Sequence, residues 1–192
     1  MTIHQDPEFV MTLQRVIEFI GTFAFALSGI RLAASKHYDW LGGFVCGVAV
    51  AIGGGTIRDV MLGLSPFWMS SPIYLLFTFL AQLVVIVCHH YLKRLDNTWF
   101  LFDTLGLALF NIAGIQKTLD CGFPFWVAII MGCITGSFGG VIRDVLLNEE
   151  PVIFRKEIYA MACVLGGLVY WAFSYLGLSL YVTVIALSLI HI

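Results

Sequence analysis

Two blocks hold the residues in this chain whose types and spacing could do chemistry. Gly54-Gly55-Thr56-Ile57-Arg58-Asp59-Val60-Met61-Leu62 recurs as Gly139-Gly140-Val141-Ile142-Arg143-Asp144-Val145-Leu146-Leu147, identical at seven of nine positions. Each block sets an arginine beside an aspartate, a cation with its own neutralising carboxylate. Each also carries a glycine cluster, Gly53-Gly54-Gly55 in one and Gly136, Gly139 and Gly140 around Ser137 in the other. An interior glycine costs a helix about 1 kcal/mol relative to alanine, so a cluster marks a point where the backbone can bend or unwind. Carbonyls freed at Gly53, Gly54, Gly139 and Gly140 would be hard, neutral ligands for K+ or Na+. The half-helix beyond each break would turn its positive end to the same place. Thr56, Thr135 and Ser137 would bond freed backbone groups. The competing reading is close helix packing, for which small residues are the usual device, and Gly21, Gly29 and Gly47 are expected to do only that. No HExxH, GxSxG or His-carboxylate cluster is present, so the chain does not read as an enzyme, and no cofactor beyond a permeating K+ or Na+ is expected.

The elements that must position these blocks are membrane helices. The chain has 192 residues, of which 60% are hydrophobic and 11% charged, against about 25% charged in soluble domains. That leaves too little polar surface to face water. The net charge of −2 and the lack of a basic stripe exclude a nucleic-acid partner. The first ten residues hold Asp6 and Glu8 but no Lys or Arg, unlike a cleaved signal peptide. Since about 20 apolar residues cross the hydrocarbon as a helix, seven spans are expected: about 13–32, 40–64, 72–92, 98–117, 123–147, 157–175 and a short 177–192. They form one transmembrane domain over residues 1–192. Lys and Arg distribution gives an outside N-terminus and a cytoplasmic C-terminus. That orientation puts Arg31, Lys36, Lys93, Arg94, Arg155 and Lys156 inside, and only Arg15 and Lys117 outside.

The two blocks belong to a larger repeat. At an offset of 85 residues Gly21 meets Gly106, Phe25 meets Phe110, Gly29 meets Gly114, Pro66 meets Pro151 and Ile73-Tyr74 meets Ile158-Tyr159. Repeat one covers about 13–92 and repeat two about 98–175. A period of three spans makes the second copy enter from the opposite face, so the fold class expected is an all-α membrane protein of two inverted three-helix repeats plus a seventh helix, with glycine-broken second and fifth helices. Sites in such proteins tend to lie at the repeat interface, on interrupted helices.

Arg58 and Asp59 are the only charges in the second span, as Arg143 and Asp144 are in the fifth. A straight helix rising about 1.5 Å per residue puts Arg58 about 27 Å from Trp40, near the outer surface, with Arg143 near the inner one. There the arginines either snorkel to the interface or bound one aqueous path at different depths. The recurrence of both charges favours the path. Glu18 and Asp103 occupy equivalent points, and capping is preferred over pairing with the arginines. Lys117 either snorkels or shapes ion entry. Asn111 is expected to bond a neighbouring helix, and the five tryptophans to mark the interfaces. His89-His90 reads as interfacial, and the five cysteines, without metal spacing, as small hydrophobes.

With both Gly-Gly-x-Ile-Arg-Asp blocks in view, the sequence resembles prokaryotic members of the trimeric intracellular cation channel family over almost its whole length. The resemblance implies a homotrimer in an inner membrane, with a K+-permeable pore in each protomer shaped by the second and fifth helices. It maps that pathway onto Gly53, Gly54, Gly55, Arg58, Asp59, Gly139, Gly140, Arg143 and Asp144. Phe138 stands where the first copy has Gly53, so the breaks need not be equally open. Related prokaryotic sequences also look like glycine transporters, and a secondary transporter for a small solute is the alternative.

Overall fold

The computed structural model describes residues 7–88, 98–155 and 157–176. The expected seventh helix at 177–192 lies outside these residues, as do His89, His90, Lys93, Arg94 and Lys156. Six long helices make up the described fold: α1 (Pro7–Ser35), α2 (Trp40–Met61), α3 (Ile73–Val87), α4 (Thr98–Asp120), α5 (Phe125–Leu146) and α6 (Glu157–Tyr175). A 3-10 turn at Phe67–Ser70 joins α2 to α3, and a single helical turn at Val152–Arg155 joins α5 to α6. Among the described residues, four segments, Gln14–Ser35, Trp40–Met61, Thr98–Asp120 and Phe125–Leu146, are long and apolar enough to cross a membrane.

The inverted repeat survives into fine backbone detail. Among the described residues, those with positive φ are His37, Gly63, Gly122 and Asn148, which form two pairs at the 85-residue offset. Gly63 and Asn148 close α2 and α5 in the same way: Leu64 N–H donates to Asp59 O and Glu149 N–H to Asp144 O, both at 2.8 Å. These are the left-handed terminators that satisfy last-turn carbonyls. Phe25 and Phe110, a further pair at that offset, stack at 5.3 Å between centroids in the core between α1 and α4.

The glycine clusters do not interrupt their helices. Both α2 and α5 run through them as continuous 22-residue helices. The physical reason lies across the bundle, where these helices cross. A side chain at Gly54 would strike the Thr135 carbonyl, and one at Gly139 would come within 2.7 Å of the Val50 carbonyl. The glycines therefore let two backbones touch, which is the packing reading. With the helical ladder intact, the idea that Gly53, Gly54, Gly139 and Gly140 offer freed carbonyls to a cation loses its basis. Thr56, Thr135 and Ser137 likewise bond the carbonyls four residues back in their own helices, Ile52, Met131 and Cys133, not freed groups. Gly21, Gly29 and Gly47 press on Phe110, Val50 and Ile30 as packing predicts.

Candidate functional site

Val50 abuts Gly139 while Gly54 abuts Thr135, so α2 and α5 cross antiparallel. Arg58 and Arg143 each lie six residues past the centre of that crossing, about 9 Å at 1.5 Å per residue, on opposite sides of it. Both side chains are fully buried. Snorkelling to the interfaces is thus excluded.

Around Arg58, groups from α1, α2, α3, α4 and the 3-10 turn converge. Its Nε donates to Asp59 Oδ1 at 2.8 Å, and Nη2 stands 2.8 Å from the same oxygen. Asp59 Oδ2 accepts the backbone N–H of Phe67 at 2.8 Å, tying the end of α2 to the first residue of the 3-10 turn. Lys117, from α4, brings its Nζ to 3.2 Å from Asp59 Oδ1. Glu18, from α1, lies 4.0 Å from Arg58 Nη2 and accepts the Tyr74 hydroxyl at 2.8 Å. The Phe67 ring lies 5.7 Å from the guanidinium carbon.

The second site repeats this plan. Arg143 Nε donates to Asp144 Oδ1 at 2.8 Å, and Asp144 Oδ2 accepts the Val152 N–H at 3.0 Å. Asp103 takes the place of Glu18, pairing with Arg143 Nη1 and accepting the Tyr159 hydroxyl at 2.7 Å. Ser28 Oγ accepts from Arg143 Nη1 at 2.8 Å, and the Trp99 ring lies 4.8 Å from the guanidinium carbon. Glu18 and Asp103 are therefore partners of the arginine sites rather than helix caps. Glu18 lies inside α1 and Asp103 inside α4, each buried beside its arginine, where a carboxylate needs donors.

The other expected residues fall near these sites or at the crossing between them. Gly55 packs on the Phe67 ring, Gly53 faces Ile142, and Gly140 lies against the Tyr159 hydroxyl and Asp103. Thr56 Oγ1 also accepts the Trp68 indole N–H at 3.1 Å. Asn111 Nδ2 donates to Cys163 O on α6 at 3.0 Å, the expected bond to a neighbouring helix. Trp40, Trp126 and Trp171 are exposed, whereas Trp68 and Trp99 are partly buried and serve the sites. Tyr74, Tyr159 and Ser28 were missed as site residues. The two tyrosines carried a readable signal, because they coincide at the 85-residue offset.

An apolar bundle with two arginines, each cancelled by carboxylates and walled by aromatic rings, suits the handling of small ions. A cavity of about 1020 Å³ reaches the first site, lined among others by Glu18, Phe67, Tyr74 and Lys117.

The family model described as glycine transporter matches this chain twice, at residues 15–90 and 100–175, segments again 85 residues apart. The UPF0126 inner membrane protein YadS of Escherichia coli K12 is 42% identical over 165 residues, covering 82% of this chain and 79% of that protein. The TRIC trimeric intracellular cation channel orthologue from Rhodobacter sphaeroides superposes with a TM-score of 0.88 at 32% identity, covering 94% of this chain and 93% of that one. A prokaryotic TRIC channel solved in 0.5 M KCl gives a TM-score of 0.86 at 30% identity, over 94% of both chains. From the paired arginine sites, the doubly matched repeat and these likenesses in sequence and fold, this multi-pass membrane protein belongs to the family that unites the glycine transporter model, the UPF0126 proteins and the prokaryotic TRIC channels.

Proposed function

We propose that the chain is a monovalent cation channel, permeable to K+, with one path in each protomer of a homotrimer. The path is bounded by α2 and α5 and passes Gly53, Gly54, Gly55, Thr56, Arg58 and Asp59, then Ser137, Gly139, Gly140, Arg143 and Asp144, with Glu18, Asp103 and Lys117 beside it. The observation that supports this most is the pair of buried arginine–carboxylate sites on opposite sides of one helix crossing. Ionisable groups inside a membrane usually mark such a route. An uncancelled guanidinium would repel a cation, and Asp59 and Asp144 remove that barrier.

Lys117 is the mobile cation in this scheme. Its ammonium shares Asp59 with Arg58 and its side chain is 23% exposed, so it can leave the carboxylate towards water. Moving one charge through the whole field is worth about 2.3 kcal/mol per 100 mV, which gives the position a handle on voltage. The protein needs no resident cofactor and performs no covalent chemistry. It sits in the inner membrane of a prokaryote with its N-terminus outside and its C-terminus in the cytoplasm.

Purified protein in a planar bilayer under asymmetric KCl is expected to give unitary current steps that reverse near the K+ equilibrium potential. Arg58→Ala and Arg143→Ala should change conductance or voltage dependence. The second reading is a secondary transporter for a small solute such as glycine, favoured by the description of the matching family model and by the use of inverted repeats in alternating access. Saturable, stoichiometrically coupled uptake without unitary currents would select it.

A further inference from the structure

The 85-residue offset pairs each residue at one end of the molecule with a counterpart at the other, so departures from two-fold symmetry can be read residue by residue. Four of them point the same way. Ser28 bonds Arg143 Nη1 at 2.8 Å, but its counterpart is Ala113, which has no hydroxyl to offer. Ala113 lies one turn before Lys117, on the face of α4 that reaches Asp59. Arg58 Nη1 is buried without a hydrogen bond, whereas Arg143 Nη1 is held by both Ser28 and Asp103. Tyr38 O–H donates to the Leu146 carbonyl at 3.1 Å, and its counterpart Phe123 has no hydroxyl. Lys36 forms an ion pair with Glu149, and their counterparts are Cys121 and Leu64, which cannot pair. Finally, Trp99 covers Arg143 and packs edge-on against Phe100 at 5.7 Å, while their counterparts Gln14 and Arg15 line the open cavity together with Leu64 and Cys121.

We propose that Ser28, Tyr38 and the Lys36–Glu149 pair are positioning residues that hold the Arg143 end closed, leaving the Arg58 end as the mouth that a small hydrated cation enters first. The repeat is thus symmetric in fold but not in function. Opening the Arg143 end requires the three contacts to part together, because they bridge the same two units: α1 with the loop that follows it, and α5 with the turn after it. This rests on the reading that a path joins the two guanidinium sites.

The matched pair Ala113→Cys and Ser28→Cys tests the inequality directly. Each is placed in the full chain with the five native cysteines replaced, reconstituted in liposomes, and exposed on both faces to a charged methanethiosulfonate reagent. Ala113→Cys should react at least ten-fold faster than Ser28→Cys, and adding Glu149→Gln should speed the Ser28→Cys reaction several-fold. Charge exchange by Lys36→Glu with Glu149→Lys should restore the slow rate, a rescue that loss of packing alone would not show. Equal rates at the two positions, or a Ser28→Cys rate indifferent to Glu149, would overturn the proposal.

Single-channel recording in the native-cysteine background gives a second measure. Ser28→Ala should raise open probability several-fold, and Ser28→Thr, which keeps the hydroxyl, should not. Identical open probabilities in the two variants would count against the clasp. If wild-type protein carries no current while the labelling difference persists, the channel reading fails and the inequality of the ends stands.

Discussion

Arginine and aspartate adjacent in a helix do not face one another, since neighbours on the helix surface are three or four residues apart. Arg58 and Arg143 nonetheless reach the next residue, because each sits in the last turn of its helix and folds its side chain back on Nε. The aspartate's second oxygen then holds the backbone of the following turn, so a single carboxylate joins charge balance to chain direction. Removing one partner of a buried ion pair strands the other and costs about 3–5 kcal/mol. Asp144→Asn should therefore lower the unfolding free energy by roughly that amount, measured by denaturant titration in mixed micelles. Tyr159→Phe, which deletes one hydrogen bond to a charged group, should cost about 1.5–3 kcal/mol. Equal, near-zero effects in both would mean the site is not a structural unit.

At the scale of elements, glycine has two uses that local sequence does not distinguish: it can weaken a helix or let it approach another. The crossing of α2 and α5 uses the second. A methyl group at Gly54 would meet the Thr135 carbonyl, which is backbone and cannot rotate away, whereas one at Gly53 would meet the end of the Ile142 side chain, which can. Overpacking a tight contact costs about 1–3 kcal/mol, so Gly54→Ala should reduce thermal stability markedly and Gly53→Ala only slightly, by size-exclusion recovery after heating. The reverse order would point back to a flexible break at the triplet. Gly54 and Gly139, equivalent in the repeat, should behave alike.

The described residues form an inverted pair of three-helix units, and the proposed clasp sits at one end of it. The hydrogen bond from Lys36, and then its charge, hold the Glu149 carboxyl below the ordinary glutamate value, with Arg155 adding a smaller attraction. A group depressed on folding contributes above its unfolded pKa and loses that contribution as pH falls through the folded one. The clasp is thus charged at neutral pH and should open as pH falls below the ordinary glutamate value. An acid-induced rise in open probability that Glu149→Gln abolishes is the expected record. Orientation has its own probe. Cys121 is exposed at the Lys117 end, while Cys46 and Cys163 are buried. With the N-terminus outside, an impermeant maleimide should label intact cells, and Cys121→Ser should remove most of that label. Labelling only after permeabilisation would invert the topology.

The sequence alone determined the class of solvent, because no soluble surface can be built from so few charged residues, and it determined the repeat, because shared Gly-Gly-x-Ile-Arg-Asp blocks do not arise from apolar composition. It also located the two charged pairs, since ionisable residues stand out against an apolar span. Only the tertiary structure decided what those residues touch. Glu18 and Asp103 belong to the arginine sites and not to helix ends, because their partners Tyr74, Tyr159, Arg58 and Arg143 come from other helices. The glycine helices stay whole because the backbone across the crossing fills the space a side chain would need. The inequality of the two ends was written in the chain as Ser28 against Ala113 and Lys36–Glu149 against Cys121–Leu64, yet it acquired meaning only when contacts more than 100 residues apart, such as Ser28 with Arg143 and Lys36 with Glu149, were formed. Burial and hydrophobic pattern are properties of a segment, whereas a hydrogen-bond partner is a property of the folded whole.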